Sequence, residues 1–85
     1  MVLQRKLSTE EQVIDLIGWT LGMPSSNIFP YLHLRDDLFL DAIDVQLLII
    51  KLESHFDVIL SPEEVEAIET VRDAISSVKQ HWKAA

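Results

Sequence analysis

Four helix-start signals divide this chain, and they constrain its fold more than any other feature. Each signal begins with a side-chain oxygen that can accept a hydrogen bond from the first turn of a helix. The four residues are Ser8, Asp41, Ser61 and Thr70. Glu11 and Glu64 follow the two serines at the capping-box spacing, and Pro62 occupies the favoured first helical position. The signals therefore predict four helices.

The apolar residues that follow these signals recur at helical spacing. The first stripe comprises Val13, Ile14, Ile17 and Leu21, and the last comprises Val71, Ala74, Ile75, Val78 and Trp82. No segment alternates apolar and polar residues cleanly enough to predict a strand. Since the chain has only 85 residues, of which 48% are hydrophobic, we expect one all-α domain over residues 1–85, with its core at about 8–80. The predicted architecture is a four-helix bundle.

One connection and one helix have unusual predicted lengths. Gly22 and Pro24 should end the first helix, and the second should begin only at Asp41, which leaves a long first loop. Apolar residues are spread along this loop and are expected to pin it to the bundle. They are Ile28, Phe29, Leu32, Leu34 and Leu38. The third helix should be short, because it must fit between Ser61 and Thr70.

The second helix, predicted from Asp41 to about Phe56, carries two apolar stripes. The expected core stripe comprises Val45, Leu48, Ile49, Leu52 and Phe56. Ile43, Leu47 and Ile50 lie on nearly the opposite side of the helix. A helix in a small bundle rarely buries both sides, so this second stripe either lies beneath the long loop or forms an exposed patch for a partner.

Charge and composition exclude several function classes. Fourteen acidic residues against seven basic ones give a net charge of -7, which disfavours nucleic acid and favours partners with basic faces. No apolar run is long enough to cross a membrane, and the first seven residues lack the apolar core of a signal peptide. The absence of cysteine rules out thiolate chemistry and fits a reducing cytoplasm, where we expect the protein.

No set of residues predicts catalysis or metal binding. The three histidines, His33, His55 and His81, lack the spacing of a metal site. The acidic segment at residues 36–44 lacks the glycine and the alternating ligands of a calcium loop. Neither a phosphate-binding glycine loop nor a recognisable nucleophile, base and acid set is present. We therefore expect no catalytic residues, no metal and no enzymatic activity.

Several short motifs, in order and without gaps, resemble the acyl carrier protein family. The segment Asp37-Leu38-Phe39-Leu40-Asp41-Ala42-Ile43-Asp44 is similar to that family's Asp-Leu-Gly-x-Asp-Ser-Leu-Asp signature. The second helix ends in Glu53-Ser54-His55-Phe56-Asp57, close to the family's Glu-x-x-Phe-Asp. Residues 59–65 and 69–75 resemble the entries to its third and fourth helices, and Gly18 and Gly22 fall where its first helix ends. The resemblance runs from Ser8 to about Val78.

The resemblance implies a carrier that holds acyl chains on a phosphopantetheine arm, which is attached to a serine at the start of the second helix. The implied attachment position is Ala42. The implied partner-docking residues are Asp41, Ile43, Asp44, Leu47, Ile50 and Glu53, and the implied acyl-chain interior comprises Leu48, Leu52, Phe56, Ile68, Val71 and Ile75. Implied partners are the basic faces of fatty-acid or polyketide-type enzymes and a phosphopantetheinyl transferase. We expect a monomer.

Three residues depart from the family pattern. Ala42 has no hydroxyl for the arm, and residues 36–53 contain no other serine or threonine, so we expect no prosthetic group on this chain. Phe39 stands where the family has glycine, and Leu47 where it commonly has glutamate. Three readings follow. The chain is a carrier blocked at Ala42, by engineering or by natural divergence; a carrier-derived interaction module without an arm; or an unrelated helical adaptor.

Overall fold

A computed structural model describes residues 8–81. It contains helices α1 (Thr9–Leu21), α2 (Ala42–Phe56), α3 (Pro62–Ala67) and α4 (Val71–His81), with a short 3-10 turn at Ser25–Asn27. The prediction of an all-α fold with four helices, a short third helix and a long first loop is confirmed. Trp82, assigned to the last apolar stripe, and the segment at residues 1–7 lie outside the described residues.

Reciprocal side-chain caps start all four helices. The amide of Glu11 donates to the Ser8 hydroxyl over 3.1 Å, and the Glu11 carboxylate accepts from the amide of Ser8. Ser61 and Glu64 make the same pair at α3, and Thr70 and Asp73 make it at α4. Each pair satisfies two amides that a helix end leaves without intrahelical partners. Local side-chain chemistry therefore sets where every helix begins.

The core is formed by α1, α2, α4 and the loops between them. Its fully buried large side chains are Val13, Ile17, Leu34, Leu48, Leu52, Val71 and Val78. None of the six residues of α3 is buried. The chain turns back tightly after α1, where a Cβ added at Gly18 would lie 2.7 Å from the carbonyl oxygen of Met23. That contact explains why a glycine stands inside this helix.

Backbone hydrogen bonds fasten the long loop to the α3–α4 junction. The amide of Leu34 donates to the carbonyl of Glu69 over 2.9 Å, and the amide of Val71 donates to Leu32 over 2.9 Å. The amide of Arg72 donates to Pro30 over 2.8 Å. The loop therefore crosses the bundle in a fixed position although residues 28–40 contain no helix.

The sequence predicts that apolar side chains hold this loop against the bundle. This is confirmed for Ile28 and Leu34, which are buried, and in part for Leu32 and Leu38, which are half-buried. The prediction is wrong for Phe29, which is exposed. Its ring stacks on Tyr31, with 5.5 Å between centroids, and the two rings cover each other outside the core.

Candidate functional site

Ala42 is the first residue of α2, and its side chain is exposed. The preceding Asp41 caps the helix by accepting a hydrogen bond from the amide of Asp44 over 2.8 Å. The Asp44 carboxylate accepts from the amide of Asp41 over 3.3 Å, which completes a capping box. The sequence predicted the cap at Asp41 but not the return bond from Asp44. These bonds hold residue 42 at the outward tip of the helix.

An open cleft of about 900 Å³ adjoins Ala42. It lies between the end of the long loop, the first turn of α2 and the α3 region. Its apolar wall consists of Leu40, Val45, Val65 and Ile68, and its charged rim includes Arg35, Asp36, Glu66 and Glu69. The cleft could receive a slender apolar group from the tip of α2.

All six residues of the implied acyl-chain interior, Leu48, Leu52, Phe56, Ile68, Val71 and Ile75, are buried. Only Ile68 among them lines the cleft beside Ala42. All six belong to the packed core, and the other five do not reach the cleft. The apolar cleft residues that the sequence did not assign to a site include Leu40, Val45 and Val65. Proximity to position 42 could have indicated the first two, since Leu40 precedes it by two residues and Val45 follows it by about one helical turn.

The second apolar stripe of α2 is exposed and does not lie beneath the loop. Ile43, Leu47 and Ile50 are 68%, 51% and 57% exposed. Asp41 and Asp44 are exposed as well and flank the first turn of the stripe. The structure therefore brings five of the six implied docking residues onto the outer surface of one helix.

Glu53, the sixth implied docking residue, differs from the others. It is half-buried, and its carboxylate accepts a hydrogen bond from the amide of Leu60 over 2.9 Å. Its carbonyl accepts another from the amide of Val58 over 3.0 Å. Glu53 thus holds the loop between α2 and α3, a structural role that the sequence motif did not reveal.

Phe39 occupies the left-handed region of backbone space, with φ of 59°. This conformation is unfavourable for a side chain that carries a Cβ and is natural for glycine. The Phe39 ring is 85% exposed, so burial offsets little of the strain. The departure from glycine noted in the sequence therefore has a conformational cost.

Comparison with known proteins identifies the family. Residues 11–78 match the family model described as a phosphopantetheine attachment site. The chain belongs to the acyl carrier protein family. This carrier domain is similar to a solved structure from Mycobacterium tuberculosis described as a candidate acyl carrier protein, with 32% identity and a TM-score of 0.78. The match covers 86% of this chain and 97% of that one.

A second solved structure shows the same fold. It is the apo doublet acyl carrier protein from prodigiosin biosynthesis, with 22% identity and a TM-score of 0.75. The match covers 89% of this carrier domain and 37% of the doublet chain. Acyl carrier domains are carriers rather than catalysts, and they interact with biosynthetic enzymes and phosphopantetheinyl transferases. The family thus supports a non-enzymatic role for this chain.

The side chain at position 42 does not fit the family's prosthetic group. A methyl group has no oxygen that could form the phosphodiester to a phosphopantetheine arm. The nearest serine along α2 is Ser54, twelve residues further, or about 18 Å along the helix axis. Between residues 8 and 81, no group of three His, Cys, Asp or Glu side chains is placed to hold a metal. None of the helices in that range is long and apolar enough to span a membrane.

Proposed function

We propose that this chain is a carrier domain of the fatty-acid or polyketide type, built to present acyl chains to biosynthetic enzymes but blocked at residue 42 as its sequence stands. The observation that carries the proposal is the exposed position of Ala42 at the capped tip of α2, next to an open cleft. The exposed tip and the cleft are the surroundings that we propose for a carrier site, in which residue 42 offers no nucleophile.

The docking part of the proposal rests on the outer surface of α2. Its exposed apolar stripe offers contact area, and the carboxylates of Asp41 and Asp44 lie beside residue 42. The whole chain carries a net charge of -7, which attracts basic enzyme faces over distances of about 10 Å at moderate salt. We propose that enzymes bind Asp41, Ile43, Asp44, Leu47 and Ile50 from outside the bundle, with Glu53 supporting the end of the helix.

The acyl-chain part of the proposal rests on the cleft. A chain that starts at the tip of α2 would meet the apolar wall of Leu40, Val45, Val65 and Ile68 first. The deeper residues proposed from the family pattern, such as Leu52 and Val71, are fully packed. They would line such a chain only if α2 and α3 moved apart.

Intact-mass measurement tests the proposal. The wild-type chain and Ala42→Ser are incubated separately with coenzyme A and a phosphopantetheinyl transferase. We expect the mass of one arm to be added to Ala42→Ser and nothing to be added to the wild type, whose own serines serve as the internal control. An arm on the wild-type chain would show that loading does not need residue 42.

A different failure would favour the interaction module. If Ala42→Ser folds normally but gains no arm, the surroundings of residue 42 do not suit the transferase. The chain would then act through protein contacts alone. Circular dichroism of Ala42→Ser separates this outcome from misfolding, because an exposed first-turn serine should leave the helical signal unchanged.

A further inference from the structure

Trp19, near the end of α1, is 77% exposed. Tryptophan is usually well buried, and where it stays exposed it is a frequent anchor of protein interfaces. The ammonium of Lys51 lies 5.7 Å from the centroid of the Trp19 ring. Lys51 belongs to α2, so this cation–π contact links the exposed faces of α1 and α2.

The Trp19 surface is continuous with the exposed stripe of α2. Ile43, Leu47, Lys51 and His55 follow one another at intervals of four residues, which places them in one row along the helix. Lys51 in this row faces the Trp19 ring. His55, the next residue in the row, lines a shallow groove of about 640 Å³ together with Trp19, Leu16 and Asp15. The row therefore leads from the tip of α2 directly to the groove.

We infer that the docking surface extends from α2 onto α1, with Trp19 as its second anchor. This inference rests on the proposed docking function and adds to it a partner of defined chemistry. The partner is an enzyme face that carries an apolar side chain for the groove between α1 and α2, flanked by lysine or arginine side chains.

Charge selects this partner over a second copy of the chain. Exposed carboxylates lie at both ends of the combined surface, Asp15 in the groove and Asp44 beside Ile43. The nearby Lys51 ammonium lies over the indole ring. Two copies, each with a net charge of -7, would repel when these faces met, whereas a basic face would be attracted.

Calorimetric titration with a phosphopantetheinyl transferase tests the inference. Trp19→Ala should weaken binding about tenfold or more, as is usual for a tryptophan anchor. Trp19→Phe keeps an aromatic ring and should weaken binding less. Ile59→Ala removes an equally exposed apolar side chain from the loop after α2 and should leave the affinity unchanged. All three variants should unfold at the same temperature as the wild type, since the replaced side chains are exposed.

Leu47→Ala separates this inference from the proposed function. If Leu47→Ala weakens binding and Trp19→Ala does not, α2 docks alone and the extension to α1 is wrong. If the transferase binds the wild type and neither variant changes the affinity, or if it does not bind at all, both proposals fail. A dimer that forms at high concentration and is lost in Trp19→Ala would overturn the choice of a basic partner.

Discussion

The Nε2 atom of His81 lies 2.6 Å from the Oε2 atom of Glu64, which joins the last residue of α4 to the short helix α3. The other carboxylate oxygen of Glu64 accepts from the amide of Ser61 and closes the cap of α3. One side chain therefore both starts α3 and ties it to α4. This double role is important because none of the six residues of α3 is buried.

The two contacts predict a pH dependence of stability. The hydrogen bond from the Ser61 amide, followed by the bond to His81, lowers the pKa of Glu64 below its ordinary value of 4.5. A carboxyl group with a lowered pKa in the folded state stabilises the fold above its ordinary pKa, and this contribution is lost as the pH falls through the folded value. Glu64→Gln should therefore be less stable than the wild type at neutral pH, with a smaller difference in acid.

Urea unfolding at neutral pH and below about pH 4 measures this effect. Glu66→Gln is the matched control, since Glu66 lies in the same helix and is exposed. It should change stability little at either pH. A difference between Glu64→Gln and the wild type that stays constant across the acid range would contradict the assignment.

Truncation of two neighbouring leucines in α2 should cost very different amounts of stability. Leu48 is 1% exposed, so Leu48→Ala removes core packing and should cost about 2–5 kcal/mol of unfolding free energy. Leu47 is half exposed, so Leu47→Ala should cost well under about 1 kcal/mol. Thermal unfolding followed by circular dichroism compares the two. A fall of several degrees for Leu47→Ala would place that side chain in the core and remove it from the docking surface.

Phe39→Gly should stabilise the chain. Glycine relieves the left-handed strain at φ of 59°, and the exposed ring contributes little packing. We expect a gain of about 1 kcal/mol, measured by urea unfolding. Phe39→Ala is the control, because alanine keeps the Cβ that causes the strain while removing the ring. Equal stability of the glycine and alanine variants would show that backbone strain is not the cause.

The charge of Asp41 can be separated from its capping role. Asp41→Ser keeps an oxygen that can cap α2, so stability should be nearly unchanged. Binding to a phosphopantetheinyl transferase should weaken, and the loss should be larger at low salt, where charges are screened less. Asp41→Ala should lose both binding and about 1 kcal/mol of stability. If Asp41→Ser binds like the wild type at low salt, this carboxylate takes no part in docking.

The helices could be predicted from the sequence because their ends depend on local contacts. Asp41 begins α2 at the predicted position, since its carboxylate bonds an amide only three residues away. Helical geometry placed Ile43 and Leu47 on the side of α2 opposite its core stripe, but the sequence left open whether the loop covers them. Phe29 fits the apolar pattern of the loop, but its ring turns outward and stacks on Tyr31. The pattern shows that Phe29 is apolar, but it does not show whether the ring packs on the core or on another ring.

The cleft could not be predicted in the same way. Its wall joins Leu40 and Val45 to Val65 and Ile68, which are 20–28 positions further along the chain and meet them only after the chain has folded. Glu53 shows the same effect at shorter range. The motif places an acid near the end of α2, but only the path of the following loop brings the Leu60 amide to its carboxylate.

The hydrogen bonds between the long loop and the α3–α4 junction hold the loop in place on one side of the cleft. Leu34 is buried, and its amide donates to the Glu69 carbonyl, while the Leu32 carbonyl accepts from the Val71 amide. The loop side of the cleft is therefore held by backbone hydrogen bonds. Helix α3 has no buried residue, although Glu64 ties it to α4, so we expect α3 to be the side that moves. We therefore expect a guest that enters beside residue 42 to displace α3 and not the loop, so amide exchange should become faster in α3 before it does in the loop.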